Sequence, residues 1–343
     1  MNIFRGRNLG IKMDVDWVQY RIKNEYWSKK SWFEETILHK VPTMRTNYDS
    51  KKTLDIVQTN ELIYNYILNK DSFMVGRFGS TEMRTIYSYL QYAHFPSKDN
   101  RKQCVGKLCE SAGFFPDDIL YGKKFVELML KSCSCIDLCG VWNLYMEDYV
   151  LHKYATETQV TFLDNLEPWN AQGKVKPWTA ALKGKNVLVV HPFADTINNQ
   201  YTKYRTKIYE KCFEPDDILP YFNLNTFKAV QTINYNYKNT NYNDWFEALN
   251  DMINKIEKIN FDVAIIGCGA YGFPLAAAIK MMGKGAIHLG GATQILFGIV
   301  GKRWESCKSY KTKLDQVRNE YWTRPSFMET PDGAEKIEGG CYW

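Results

Sequence analysis

No long apolar run occurs in this chain. Its most hydrophobic region, 261–300, is interrupted by Lys280, Lys284, His288 and several glycines, and nothing reaches the roughly 18 consecutive apolar residues of a membrane span. The opening Met1-Asn2-Ile3-Phe4-Arg5-Gly6-Arg7 lacks the apolar centre of a secretory signal. The expected location is therefore cytoplasmic, with membrane association at most peripheral. Paired metal-binding cysteines are missing as well. The nine cysteines are scattered, and the cluster Cys133, Cys135, Cys139 has no second pair at zinc-ribbon spacing, so reduced thiols are expected. There is no repeat of solenoid period and no low-complexity segment. Charge is weak: 44 Lys and Arg against 38 Asp and Glu leave a net +6. That does not point to nucleic acid, but it suits an anionic small substrate or an anionic surface.

What is present is an ordinary globular composition, 45% hydrophobic over 343 residues, long enough to bury a core without disulfides or metals. Aromatic residues reach 15%, with 23 Tyr and 10 Trp, which suits sugar rings as well as a core. Patterning predicts helices over 14–38 and 53–69, then a short buried strand at Phe73–Phe78 after the turn Lys70-Asp71-Ser72. A helix capped by Ser80 or Thr81 should follow, running through Leu90. Cys135–Val141 reads as a strand, and 96–122 as loop. Asn186–Val190 is a strand, 196–211 a helix, Pro220–Leu224 a strand and Trp245–Ile259 an amphipathic helix. Val263–Ile266, Gly272–Met282 and Ala286–Leu289 form a strand–helix–strand unit. This alternation predicts an α/β fold: a Rossmann-like, mostly parallel sheet over 70–304 with flanking helices. A helical N-terminal extension (1–69) precedes it, and a C-terminal tail (305–343) packs on it.

Gly267, Gly269 and Gly272 form a G-x-G-x-x-G between a strand and a helix, with Tyr271 inside the turn. Glycine permits the turn, admits an anion to the backbone, and opens the helix N-terminus with its unpaired N–H groups. Pro274 suits the first helical turn. A dinucleotide site would also need an acidic residue about 20 positions on, to hold the ribose. His288, Leu289, Gly290 and Gly291 stand there instead. Tight strand–helix packing remains the alternative role for these glycines.

Arg77-Phe78-Gly79-Ser80-Thr81-Glu82 repeats the strand–turn–helix arrangement earlier in the chain. In a parallel sheet, ligands bind outside the carboxyl ends of the strands. Arg77, Glu82, His191 and both glycine turns should converge there. Arginine offers a charged fork for phosphate. Glutamate could hold a cation or a sugar hydroxyl, or act as base, and an Arg77–Glu82 ion pair is the structural alternative. An R-x-G-x-x-E after a strand, with a later strand–glycine turn–helix–strand ending in a Gly pair, resembles the GT-D fold glycosyltransferases over roughly 70–300. That resemblance implies transfer of a sugar from a nucleotide sugar, with a UDP-sugar the first candidate, to a glycan or lipid-linked acceptor. It also implies a D-x-E that binds metal, Mn or Mg. Here Ser80 replaces the aspartate, which leaves Glu82 as the sole metal candidate and metal dependence open.

His191 and His288 end strands, where each could position a phosphate, relay a proton, or bond to backbone. Lys302, Arg303 and Trp304 suit diphosphate and ring stacking, or equally a helix end; Lys203 and Arg205 carry the same ambiguity. The expected site comprises Glu82 and His191 as catalytic groups. Arg77, Gly79, Ser80, Gly267, Gly269, Tyr271, Gly272, His288, Gly290, Gly291 and Arg303 are expected to bind substrate. Two further readings stay open: a non-catalytic nucleotide- or sugar-phosphate-binding protein, favoured by Ser80, and another Rossmann-type enzyme such as a methyltransferase or oxidoreductase.

Overall fold

The computed structural model describes residues 15–48, 51–306, 308–336 and 340–343. The reading of the extreme N-terminus lies outside these residues. In chain order, helix α1 (Val15–Thr36) leads to a small hairpin of β1 (Asn47–Tyr48) and β2 (Lys51–Lys52), then to α2 (Ile56–Asn69) and strand β3 (Phe73–Gly76). Three helices follow, α3 (Ser80–His94), α4 (Arg101–Ala112) and α5 (Ile119–Ser132), before β4 (Leu138–Val141), α6 (Glu147–Tyr154) and β5 (Gln159–Phe162). Then come β6 (Asn186–His191), α7 (Ala194–Ile208), the short α8 (Pro215–Ile218), β7 (Asn223–Lys228) and α9 (Trp245–Ile256). β8 (Val263–Ile266), α10 (Gly272–Met281), β9 (Gly285–His288) and the short α11 (Ala292–Leu296), α12 (Lys302–Ser306) and α13 (Lys308–Asp315) complete the order.

Strands β3 to β9 form one sheet in the order β5-β4-β3-β9-β8-β6-β7, and every pairing in it is parallel. Both faces are covered, so the strands read as unbroken apolar runs rather than alternations. Met74, Val190, Ile266 and Ala286 belong to one core, against α3, α5, α9 and α10. Val75, Val189, Ile265 and Ile287 belong to the other, against α2, α7 and the segments after β9. Among the described residues no helix is long and apolar enough to cross a membrane.

Several boundaries differ from the pattern reading. The segment 96–122, which reads as loop, contains α4 and the start of α5; their polar faces and few apolar positions hide them beside Pro116. β7 starts at Asn223 rather than Pro220 and runs on to Lys228, because it pairs β6 from Asn186↔Asn223 to His191↔Lys228. β5 has only four residues, the middle two buried, too short to show a period. The tail, for which the sequence names no element, carries α13.

Two features fix the outer segments to the sheet. Asp148, fully buried on α6, accepts from Asn24 of α1 at 2.7 Å and pairs with Arg45 at 3.2 Å. At the other end, the buried carboxylate of Glu329 accepts from the Asp195 N–H at 2.8 Å and the Thr196 N–H at 3.2 Å. The Thr196 hydroxyl and, at 3.1 Å, the Ser326 hydroxyl complete its shell. A residue far along the chain thus caps the N-terminus of α7, satisfying donors that have no intrahelical acceptor and setting a negative charge at the positive end of the dipole. Glu329→Ala should lower stability by about 1–3 kcal/mol and speed proteolysis after Arg324 while the sheet stays protected. Denaturant titration and limited trypsin digestion check this.

Candidate functional site

The parallel strands all end at one edge, and a cleft of about 440 Å³ opens there. Its position follows from topology. After β3 the chain turns onto the face covered by α3, whereas after the neighbouring β9 it turns onto the opposite face, where Ile295 and Leu296 are buried. Diverging connections leave a crevice between the two strand ends. The cleft is lined by residues following β3, β4, β6, β8 and β9, joined by Thr232, Arg303 and the terminal Tyr342 and Trp343. Every site residue expected from the sequence lies on it except Gly272, which is buried behind the lining at the start of α10.

The R-F-G-x-x-E segment is a single packed unit. Phe78 is buried and stacks on Phe273 at 4.8 Å, while its carbonyl accepts from Trp142 Nε1 at 3.0 Å. A Cβ on Gly79 would fall 1.8 Å from Glu82 Oε2, so glycine is needed because the Glu82 carboxyl folds back over it. The half-buried Glu82 carboxyl is pushed above the usual range by desolvation, against its own N–H and the charge of Arg77, which oppose the shift.

The Arg77 guanidinium lies 5.0 Å over the Trp142 ring and flanks Gly290, where an added Cβ would sit 3.6 Å from it. Its Nε is buried without an acceptor. Among the described residues no carboxylate forms an ion pair with it, so the Arg77–Glu82 pair, the structural alternative for this motif, is not made.

The glycine turn divides its duties in an unexpected way. The space a side chain would take is filled by protein at all three glycines. It is taken by Gly290 O and His191 at Gly267, by Ala112 O at Gly269, whose φ is +56°, and by His288 Nε2 at 2.3 Å from a Cβ on Gly272. These glycines serve tight packing, the alternative role given above. What the turn brings to the cleft is backbone: among the described residues, the N–H groups of Cys268 and Gly269, both on the lining, have no backbone acceptor. Tyr271 reaches the cleft edge but stacks on Trp245 at 4.9 Å and is buried.

Both histidines are neutral through the physiological range. Burial pushes each down to about 3. His191 Nδ1 accepts from the Phe193 N–H at 3.0 Å, which places the proton on Nε2. His288 Nδ1 is buried without a partner. Gly291 backs onto Tyr342, whose ring would lie 2.8 Å from a Cβ added there, and Arg303 Nη1 donates to the Tyr342 hydroxyl at 3.1 Å. Ser80 is exposed at the rim. Lys203, Lys302 and Trp304 do not line the cleft, and Arg205 pairs with Asp216 at 2.7 Å.

Pattern reading misses Trp142, the platform under Arg77, and Glu147, which fixes it. Glu147 is fully buried; Oε2 accepts from the Trp142 and Leu144 N–H groups at 3.3 Å, and Oε1 has no partner. A glutamate beside an aspartate in Glu147-Asp148, flanked by apolar and aromatic residues, is the available signal. Among the described residues Glu82 is the one carboxylate on the cleft lining, and no group of three His, Cys, Asp or Glu could hold a metal ion. The residues present do not make the two-carboxylate site that the resemblance implies. No family model matches the chain, and searches of curated proteins and of solved structures find no match either.

Burial pushes the Glu147 carboxyl up to about 8. The folded protein therefore holds a proton that the unfolded chain releases near 4.5. Its contribution is complete at low pH and declines as pH rises from there to about 8. Glu147→Gln removes this dependence. The melting temperature of the variant relative to wild type should rise between about pH 5 and about pH 9; a constant difference would show that Glu147 is ionised in the fold.

Proposed function

We propose that this chain is a glycosyltransferase that moves a sugar from a nucleotide-sugar donor, a UDP-sugar foremost, to a hydroxyl of a glycan or glycoconjugate. The observation that carries this reading is Arg77: a half-buried guanidinium with a stranded Nε and, among the described residues, no counter-ion, centred on the strand-end cleft. A partly desolvated cation with no ion pair favours an anionic ligand, and a diphosphate matches its planar fork. The N–H groups of Cys268 and Gly269 on the same lining supply further donors.

Glu82 is the acceptor of the incoming hydroxyl's proton. Its raised pKa makes it a stronger base than a free carboxylate once ionised. His191, neutral with Nε2–H, donates to the leaving phosphate without adding charge. The leaving diphosphate is stabilised by Arg77 and backbone dipoles already fixed in place. Glu82 alone does not make a Mn or Mg site, so a divalent ion would have to be held largely by the donor's own phosphates. Ser80 favours the second reading, a binding protein that keeps the scaffold without catalysis.

Thermal-shift titration with UDP-sugars, NAD(P) and S-adenosylmethionine, with and without Mn, separates these readings. A donor at 100 times its dissociation constant adds about 2.7 kcal/mol. Arg77→Ala should weaken UDP-sugar binding by at least about tenfold. Glu82→Gln should keep donor binding and lose transfer and donor hydrolysis. Comparing transfer in chelator and in Mn shows whether a donor-held divalent ion takes part. Stabilisation by a dinucleotide or by S-adenosylmethionine alone would sink the proposal, and donor binding with no turnover would leave the binding-protein reading.

A further inference from the structure

A second cavity, of about 860 Å³, lies across the first turns of α3 from the cleft. Ser80 lines both. Ser80, Arg84 and Tyr87 follow at i, i+4 and i+7 and face the second cavity, while Gly79, Thr81 and Glu82 face the first. The N-terminal end of α3 is thus a shared wall, with the candidate base on one side and a groove of mixed apolar and polar lining on the other.

The composition of that groove narrows its ligand. Tyr87 and Tyr145 meet edge-on in its wall, ring centroids 4.8 Å apart. The Tyr145 hydroxyl is oriented by Glu25 of α1 at 2.8 Å. Gln103, Arg84 and the Lys107–Glu110 pair bring donors and acceptors of both signs. Asn100 Oδ1, in the same lining, is buried without a hydrogen-bond partner. Mixed charge does not suit a polyanion, and apolar surface from Met83, Leu144 and the two tyrosines alternates with charged and amide groups in the lining. Aromatic rings among many hydrogen-bonding groups suit sugar rings, which have apolar faces and hydroxyl edges.

We infer that this second cavity is the acceptor subsite and holds an oligosaccharide whose reacting hydroxyl passes Ser80 to reach Glu82. The assignment rests on the transferase reading. The acceptor oxygen forms its bond to the anomeric carbon as the bond from that carbon to the diphosphate oxygen breaks. The electron pair leaves with the nucleoside diphosphate, and the acceptor proton passes to the Glu82 carboxylate. Ser80, exposed and small, is the residue at which the linings of the two cavities meet.

The test uses saturation-transfer NMR on the full chain. The probes are p-nitrophenyl glycosides of glucose, galactose, N-acetylglucosamine and rhamnose, together with maltotriose and chitotriose. At least one should give signal with wild type. Gln103→Trp and, independently, Arg84→Trp fill the cavity from exposed helical positions and should cut that signal by roughly tenfold or more, with circular dichroism confirming the fold. Arg77→Ala should retain it while losing UDP binding. No signal from any probe, or equal signal in the folded cavity-filling variants, overturns the acceptor assignment. UDP failing to bind wild type while the glycoside signals behave as expected overturns the donor reading instead and leaves a sugar-binding groove.

Discussion

Arg77 is a cation taken partly out of water that forms no ion pair among the described residues, its charge reaching Glu82 only beyond ion-pair distance. Such a group survives only where the surrounding fold makes up the loss. Here the compensation is spread over three elements: the face of Trp142, the bare backbone of Gly290, and the open side of the cleft. Each has its own support. Trp142 is held by the Phe78 carbonyl and, through its N–H, by Glu147. Gly290 has a φ of +62°, a conformation that suits glycine at the tight turn leaving β9. The N-terminal helix joins in through the Asn24–Asp148–Arg45 network beside Glu147, so the strand-end chemistry is tied to segments remote in sequence.

The same residues explain why the short motif has the form it has. Gly79 accommodates Glu82, Phe78 wedges against α10, and Arg77 turns toward β9. Changing one disturbs the others, because the carboxyl, the glycine and the guanidinium occupy consecutive layers of one packed turn. The later glycine turn has a similar economy: its side-chain spaces are filled by Ala112, His191 and His288, and backbone of Gly267, Cys268 and Gly269 lines the cleft.

Most of the sheet was legible in the sequence, since strands buried on both faces announce themselves as apolar runs such as Asn186–Val190 and Val263–Ile266. The convergence of Arg77, Glu82, His191, His288 and the two glycine turns was legible too, because parallel strands place all their carboxyl ends at one edge. What escaped was whatever depends on contacts between distant segments. β5 is defined by pairing with β4, and α4 by packing on α3. Trp142 under Arg77 and Glu329 on α7 are likewise set by tertiary neighbours, and none of these leaves a local period. For the three glycines the sequence left packing and ligand access as alternatives, and the packing is what the contacts around them display. Sequence shows where a side chain is missing, and only the fold shows what fills its place.

The pairing of β3 with β9 has a consequence for how the chain reaches this state. Phe73 lies beside Gly285, and Val75 beside Ile287, so the middle of the sheet joins segments separated by most of the molecule. Contacts of such long sequence separation carry a loop-closure cost that must be met before they return any energy, and they slow folding. The half containing β3, β4 and β5 can assemble early. Its inner edge then stays unpaired until β9 is in place, and an open parallel edge is an invitation to mispairing. The crevice between β3 and β9 therefore lies at the seam of longest sequence separation, and the pairing that closes this edge of the sheet also forms the cleft.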